Sequence, residues 1–142
     1  MSWYYQGQLV ESLPEDCVGF VYLIKNITSG RMYIGKKLAK FSKTKYQTVK
    51  LKNGKKKRKK IKTKIDSDWN TYYGSSKELL ADVEKLGKEN FTREILYYCT
   101  SKAQTSYIEA REQFDRKVLE SNDYYNNNIQ IRVHGSHILK KL

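Results

Sequence analysis

Apolar residues fall into a few short runs separated by long polar stretches. VGFVYLI, from Val18 to Ile24, is continuous enough for a buried strand; NITSG, ending in Gly30, is a turn, and RMYIG is a second strand. Residues 18–35 therefore read as a hairpin with a short glycine-ended loop. Residues 1–17 carry no clear period and read as an irregular lead-in. Farther on, Leu79, Leu80, Val83 and Leu86 recur at helical spacing, with Ser75 or Ser76 as the N-cap and Gly87 as the stop. FTREILYYC, Phe91 to Cys99, reads as a buried strand. Residues 101–121 read as a second helix with Tyr107, Ala110, Phe114 and Val118 on one stripe, followed by a turn, a final short strand and a tail holding His134 and His137.

Between Lys37 and Lys64 the pattern changes. This stretch is too polar to hold a core by itself, and a block of like charge is often disordered. Yet Asn53-Gly54, a type I′ turn signal, sits between segments with some alternation of apolar and charged positions. A basic β-hairpin projecting from the body and a disordered arm both remain open, the hairpin accommodating both facts. The order ββ, basic insert, α, β, α and a further β predicts an α+β fold, a small mostly antiparallel sheet flanked by helices.

Composition narrows the picture. With 142 residues, the chain predicts one domain, its core at 18–133 and its insert at 37–64. No run approaches the roughly 20 apolar residues that span a bilayer, and the N-terminus lacks a signal-peptide pattern, so a soluble cytoplasmic protein with no membrane partner is expected. Cys17 and Cys99 stand in no metal-ligand spacing and read as core or free thiols. The formal net charge is +13, and fourteen of the 28 Lys and Arg lie in 37–64, where no acid occurs. The rest of the chain holds fourteen basic against 15 acidic groups, a net of −1. One segment carries the whole excess, and polyanions, nucleic acid foremost, are its natural partners.

Tyr22 and Tyr33 occupy matching places in the two strands, and Gly35, Lys36 and Lys37 follow the second. A free phenol titrates near 10, too high for a base at neutral pH, and a neighbouring Lys36 or Lys37 is expected to lower it. Downstream, YIEAREQF presents Glu109 and Glu112 three residues apart on a helix.

Phe20-Val21-Tyr22 and Tyr33-Ile34-Gly35 resemble the paired motifs of the GIY-YIG nuclease superfamily, which includes phage homing endonucleases and some restriction enzymes. The resemblance runs through residues 18–129. It departs from the family at Phe20, where the family has glycine; Gly19 falls one position early, a change expected to alter local packing and spare Tyr22. The resemblance implies attack of water on a backbone phosphate, with Tyr22 and Tyr33 positioning or deprotonating the nucleophile and a single glutamate holding Mg²⁺ or Mn²⁺. Glu109 is favoured for that carboxylate, with Glu112 as the alternative. The family arginine has no clear counterpart: Arg58 folding back, or Lys36 or Lys37, is expected in its place. Tyr72 or Tyr73 falls where the family contacts the scissile phosphate, Trp69 either packs beneath it or stacks on a base, and Asn126 matches a late bracing asparagine.

The expected function is thus a small, free-standing, phage-type endonuclease acting on double-stranded DNA. Its grip on the backbone comes from Lys55, Lys56, Lys57, Arg58, Lys59, Lys60 and Lys62, with Trp69, and carries little sequence information. Target preference is loose or arises from a homodimer. A catalytically inactive nucleic-acid-binding protein with the same fold is the alternative.

Overall fold

A computed structural model describes residues 2–138, so Met1 and the last four residues of the tail lie outside the described residues. The chain forms β1 (Trp3–Tyr5), β2 (Gln8–Val10), β3 (Gly19–Asn26), β4 (Met32–Leu38), β5 (Lys40–Lys50), β6 (Lys56–Asp66), α1 (Lys77–Leu86), β7 (Phe91–Cys99) and α2 (Lys102–Asp115). Five strands make a mixed sheet in the order β2-β1-β7-β3-β4, antiparallel except where β1 runs parallel to β7. β5 and β6 pair separately as a two-stranded ribbon. No described helix is long and apolar enough to cross a membrane.

Each face of the sheet is covered. One carries Trp3, Phe20, Tyr22, Ile24, Phe91 and Ile95, packed against Leu79 and Val83 of α1. The other carries Val21, Ile34 and Cys99 beneath Ile108 of α2. β3 alternates between these two cores, which is why its sequence is apolar from Phe20 to Ile24. Opposite the Val21–Tyr22 step, β7 holds one extra residue, so that Tyr22 faces Ile95 while Val21 faces Tyr97. Such a bulge bends the strand locally and re-aims its side chains.

Three expectations are corrected. The lead-in is irregular only from residue 11 on: before it β1 and β2 join the sheet, and Trp3 is fully buried, edge-on to Phe20 and Tyr22, its indole N–H donating to the Trp69 carbonyl at 2.8 Å. Three residues were too few to show a period, yet one large ring suffices to dock them. The second helix ends at Asp115, because Lys117 takes a left-handed conformation (φ 54°) before a 3₁₀ turn at Val118–Glu120. Its buried face carries Thr105, Ile108 and Gln113, leaving Phe114 61% exposed. Finally, no strand follows α2 among the described residues; a single bridge joins Tyr124 to Met32.

Other expectations hold. Ser76 caps α1, accepting from the Leu79 N–H, and Gly87 ends the helix. Phe20 fills the core beside Tyr22 without displacing it. Cys17 and Cys99 are buried free thiols, and desolvation raises both, Cys17 to about 11. The basic insert is ordered into paired strands reaching from Lys40 to Asp66, with Asn53-Gly54 in the turn.

Candidate active site

β4 is an edge strand, so every second residue turns an unpaired N–H and C=O outward. At Met32 those groups are met by main chain: Met32 N donates to the Asp123 carbonyl and Tyr125 N donates to the Met32 carbonyl, both at 2.8 Å. At Ile34 a side chain takes over. Asn126 accepts from the Ile34 N–H at 3.1 Å and donates to the Ile34 carbonyl at 2.8 Å, and Gln113 of α2 donates to the same carbonyl at 3.1 Å. At Lys36 the main-chain N–H faces the Glu109 carboxylate. The edge is thus closed in sequence by main chain, an amide and an acid.

A cleft of about 690 Å³ opens along this edge, lined by Tyr33, Lys36, Ser75, Lys77, Glu109 and Asn126 among others. Tyr33 reaches it from β4, with its hydroxyl 3.0 Å from Ser75 Oγ ahead of α1. Lys36 donates to Ser106 Oγ at 2.7 Å. Tyr22 lies behind Tyr33, ring centroids 6.1 Å apart, and meets the Tyr72 ring edge-on at 6.0 Å. The glycine after Tyr33-Ile34 now has a steric reason: a Cβ on Gly35 would stand 2.4 Å from the Tyr22 hydroxyl oxygen. Gly74, in a left-handed conformation (φ +92°), brings the chain back over Tyr33 and Tyr22, where a Cβ would stand 3.3 and 3.4 Å from them.

The electrostatics reverse one expectation. Burial pushes the Tyr22 phenol well above the ordinary tyrosine value, with further upward pressure from Tyr33, Tyr72 and Glu109. Burial also raises Tyr33, opposed by its hydrogen bond to Ser75. Neither lysine lowers them. Lys37 pairs with Asp68 at 2.5 Å and lies over the Tyr72 ring at 4.1 Å, while Lys36 turns toward α2. Both phenols therefore stay neutral at physiological pH. Burial raises the Glu109 carboxyl as well, and the charge and N–H of Lys36 hold it down.

Residues 3–129 match the family described as "Putative endonuclease segE, GIY-YIG domain". The chain belongs to the GIY-YIG superfamily. It is accordingly a nuclease-family protein whose substrate class is nucleic acid. No curated protein and no solved structure matches it.

The GIY-YIG fold gathers some of the candidates and scatters others. Tyr33, Lys36, Glu109 and Asn126 share the cleft, with Tyr22 and Tyr72 packed behind. Glu112 does not line it; it pairs with Arg116 one turn on at 3.0 Å. Tyr73 belongs to the core, its ring 4.3 Å from the Arg93 guanidinium. Trp69 packs on the same core beneath the root of the insert. Arg58 lies out on β6, over the Tyr46 ring at 4.6 Å, and is not among the cleft residues. Lys55, Lys56, Lys57, Lys59, Lys60 and Lys62 are exposed along the ribbon and its turn. Sequence reasoning missed Ser75, Gln113 and Asp68. A serine before a helix cap, a glutamine inside one and an aspartate in a loop have commonplace uses, so nothing local marked them.

Proposed function

We propose that the protein is a metal-dependent endonuclease that hydrolyses DNA phosphodiester bonds at the edge of β4. The reading is carried by one observation: a neutral phenol, an ammonium, a partly buried carboxylate and a bracing amide line a single cleft, contributed by three separate parts of the chain.

The donor set fits a hard divalent cation. Glu109 is a largely buried carboxyl whose charged form is penalised by its surroundings, and a cation beside it would remove that penalty. Among the described residues no three His, Cys, Asp or Glu side chains are grouped so as to hold a metal ion between them. One carboxylate is nonetheless enough for Mg²⁺ or Mn²⁺, which keep several waters and take substrate phosphate as a further ligand. When bound, the ion would supply charge neutralisation at the phosphate.

Because Tyr33 stays protonated, it serves as a hydrogen-bonding group that fixes the attacking water, and Ser75 fixes Tyr33 in turn. Tyr22 is too deeply buried to meet substrate and holds Tyr33 and Tyr72 in place. The Lys36 ammonium, in the same cleft, would offset the negative charge that accumulates on the phosphate, the kind of preorganised stabilisation that lowers such barriers most. Asn126 and Gln113 lock Ile34, and through it the residues on either side.

A binding protein without cleavage is favoured by one specific observation: no arginine lines the cleft among the described residues. Incubating supercoiled plasmid with protein and Mg²⁺ separates the two. Nicking by the wild type, lost in both Tyr33→Phe and Glu109→Ala, is the expected result. Activity that persists in both variants, or a wild type that binds and never nicks, would overturn the nuclease mechanism.

A further inference from the structure

The two faces of the β5–β6 ribbon differ in chemistry. Residues directly opposed across an antiparallel pair share a face, and successive residues alternate. The register Tyr46↔Lys60 therefore sorts the whole ribbon. On one face β5 presents a column of hydroxyls, Ser42, Thr44, Tyr46 and Thr48. Opposite them β6 presents a column of cations, Lys64, Lys62, Lys60 and Arg58, and Lys50↔Lys56 extends this face to the tip. The contact of Arg58 with Tyr46 confirms that the two columns lie together. On the other face, lysines are interleaved with Phe41, Val49, Ile61 and Ile65, and Phe41 and Ile65 are direct partners.

Neither face belongs to the core. All of β5 is exposed, as is β6 apart from Ile61. A stretch of 11 residues per strand, extended to about 35 Å, gains no stability from burial and is an unpaid aggregation hazard unless it has a use. Its cations repeat every second residue, about 6.8 Å apart, a spacing commensurate with consecutive phosphates. Hydroxyls beside them are the usual uncharged donors to phosphate oxygens. At the root, Lys40, Ser42 and Lys64 share a recess with Glu15 and Asp16, which counters their charge. The outer part, from Thr44↔Lys62 to the tip, carries no acid.

Resting on the nuclease reading for its choice of polymer, we propose that the ribbon grips double-stranded DNA through this hydroxyl–cation face alone. Its apolar strip stiffens the ribbon from behind, and Lys36, on the strand that leads into the ribbon, places a further cation in the cleft. A ribbon of this width fits the major groove, which admits a two-stranded β-ribbon.

The test compares two triple variants with equal loss of charge: Lys56→Gln, Lys60→Gln and Lys62→Gln on the proposed face, against Lys45→Gln, Lys57→Gln and Lys59→Gln on the other. Binding to a 30-bp DNA duplex is measured in EDTA, so no cleavage is required, across a series of salt concentrations. Each lost phosphate contact removes about 0.9 from the slope of log affinity against log salt. The first variant should lose about 2.7 in slope and at least tenfold in affinity at 0.1 M salt, the second less than 1 in slope. Equal losses, a larger loss in the second, no binding by the wild type, or tighter binding to an RNA duplex of the same length would each overturn the proposal. Face-selective binding by a protein that never nicks plasmid would leave it standing and remove the nuclease reading instead.

Discussion

The carboxamide of Asn126 spans the outward main chain of Ile34, taking its N–H at 3.1 Å and giving to its carbonyl at 2.8 Å. Ile34 itself is wholly buried on the α2 side, while its neighbour Tyr33 enters the cleft. One amide therefore sets the position of a strand whose side chains serve core and site alternately. Asn126→Ala leaves the Ile34 N–H unmet, whereas the carbonyl keeps Gln113. A loss of about 1–3 kcal/mol follows from the unmet buried donor, read from the denaturant midpoint. Nicking should fall more than tenfold under conditions where the variant is still folded.

Glu109→Gln should uncouple activity from stability. The carboxyl titrates above its ordinary 4.5 because burial disfavours the charge. Folding is thus most favourable with the group protonated, and that contribution is lost as pH rises through the raised value. The neutral amide does not lose it. At pH 7 the variant should be at least as stable as the wild type, with the gap closing below about pH 4.5, while Mg²⁺-supported nicking disappears. Urea melts at pH 4 and pH 7 check the sign.

Gly35→Ala should be disproportionately harmful for one methyl group. The added carbon would stand 2.4 Å from the Tyr22 hydroxyl oxygen and 2.9 Å from a Tyr33 ring carbon, and the buried Tyr22 ring has no free space to yield into. Overpacking of this kind costs about 1–3 kcal/mol, and the surviving folded protein should nick poorly because both phenols are displaced. Thermal melting together with the plasmid assay separates the two effects.

Excising residues 41–65 should leave the body intact. Ser67 N donates to the Ala39 carbonyl at 3.0 Å and Ser67 Oγ to the Leu38 carbonyl at 2.6 Å, so the root of the ribbon is closed without it. Joining Lys40 to Asp66 through a two-residue turn should shift stability by less than about 1 kcal/mol, since only exposed surface is removed. Duplex affinity at 0.1 M salt should drop by at least a hundredfold, given the number of cations lost. A collapse of the melting temperature would mean that the ribbon supports the fold.

Much of this was legible in the sequence because several patterns agreed. The strand at Val18–Ile24, the capped helix after Ser76, the strand ending at Cys99 and the turn at Asn53-Gly54 each carried a local signal that the structure follows. The pairing of Tyr22 with Tyr33 and their approach to Glu109 and Asn126 came through the motif resemblance, since nothing local relates residues so far apart. What escaped reading was decided at long range. Trp3 docks on a strand ninety residues away, Phe114 lost the buried face to a glutamine with a specific carbonyl to meet, and the phenols rose because burial outweighed lysines that had found other partners.

The parallel pairing of Trp3–Tyr5 with Arg93–Ile95 fixes an order of events during synthesis. Until β7 has emerged β1 has only its hairpin partner β2, and such long loop closures are intrinsically slow. Glu109 and Asn126 come later still. On the mechanism proposed above, a truncated product carries both phenols and the basic ribbon but neither the acid nor the amide. On that mechanism such a product has the parts that would hold DNA and lacks the parts that would cut it.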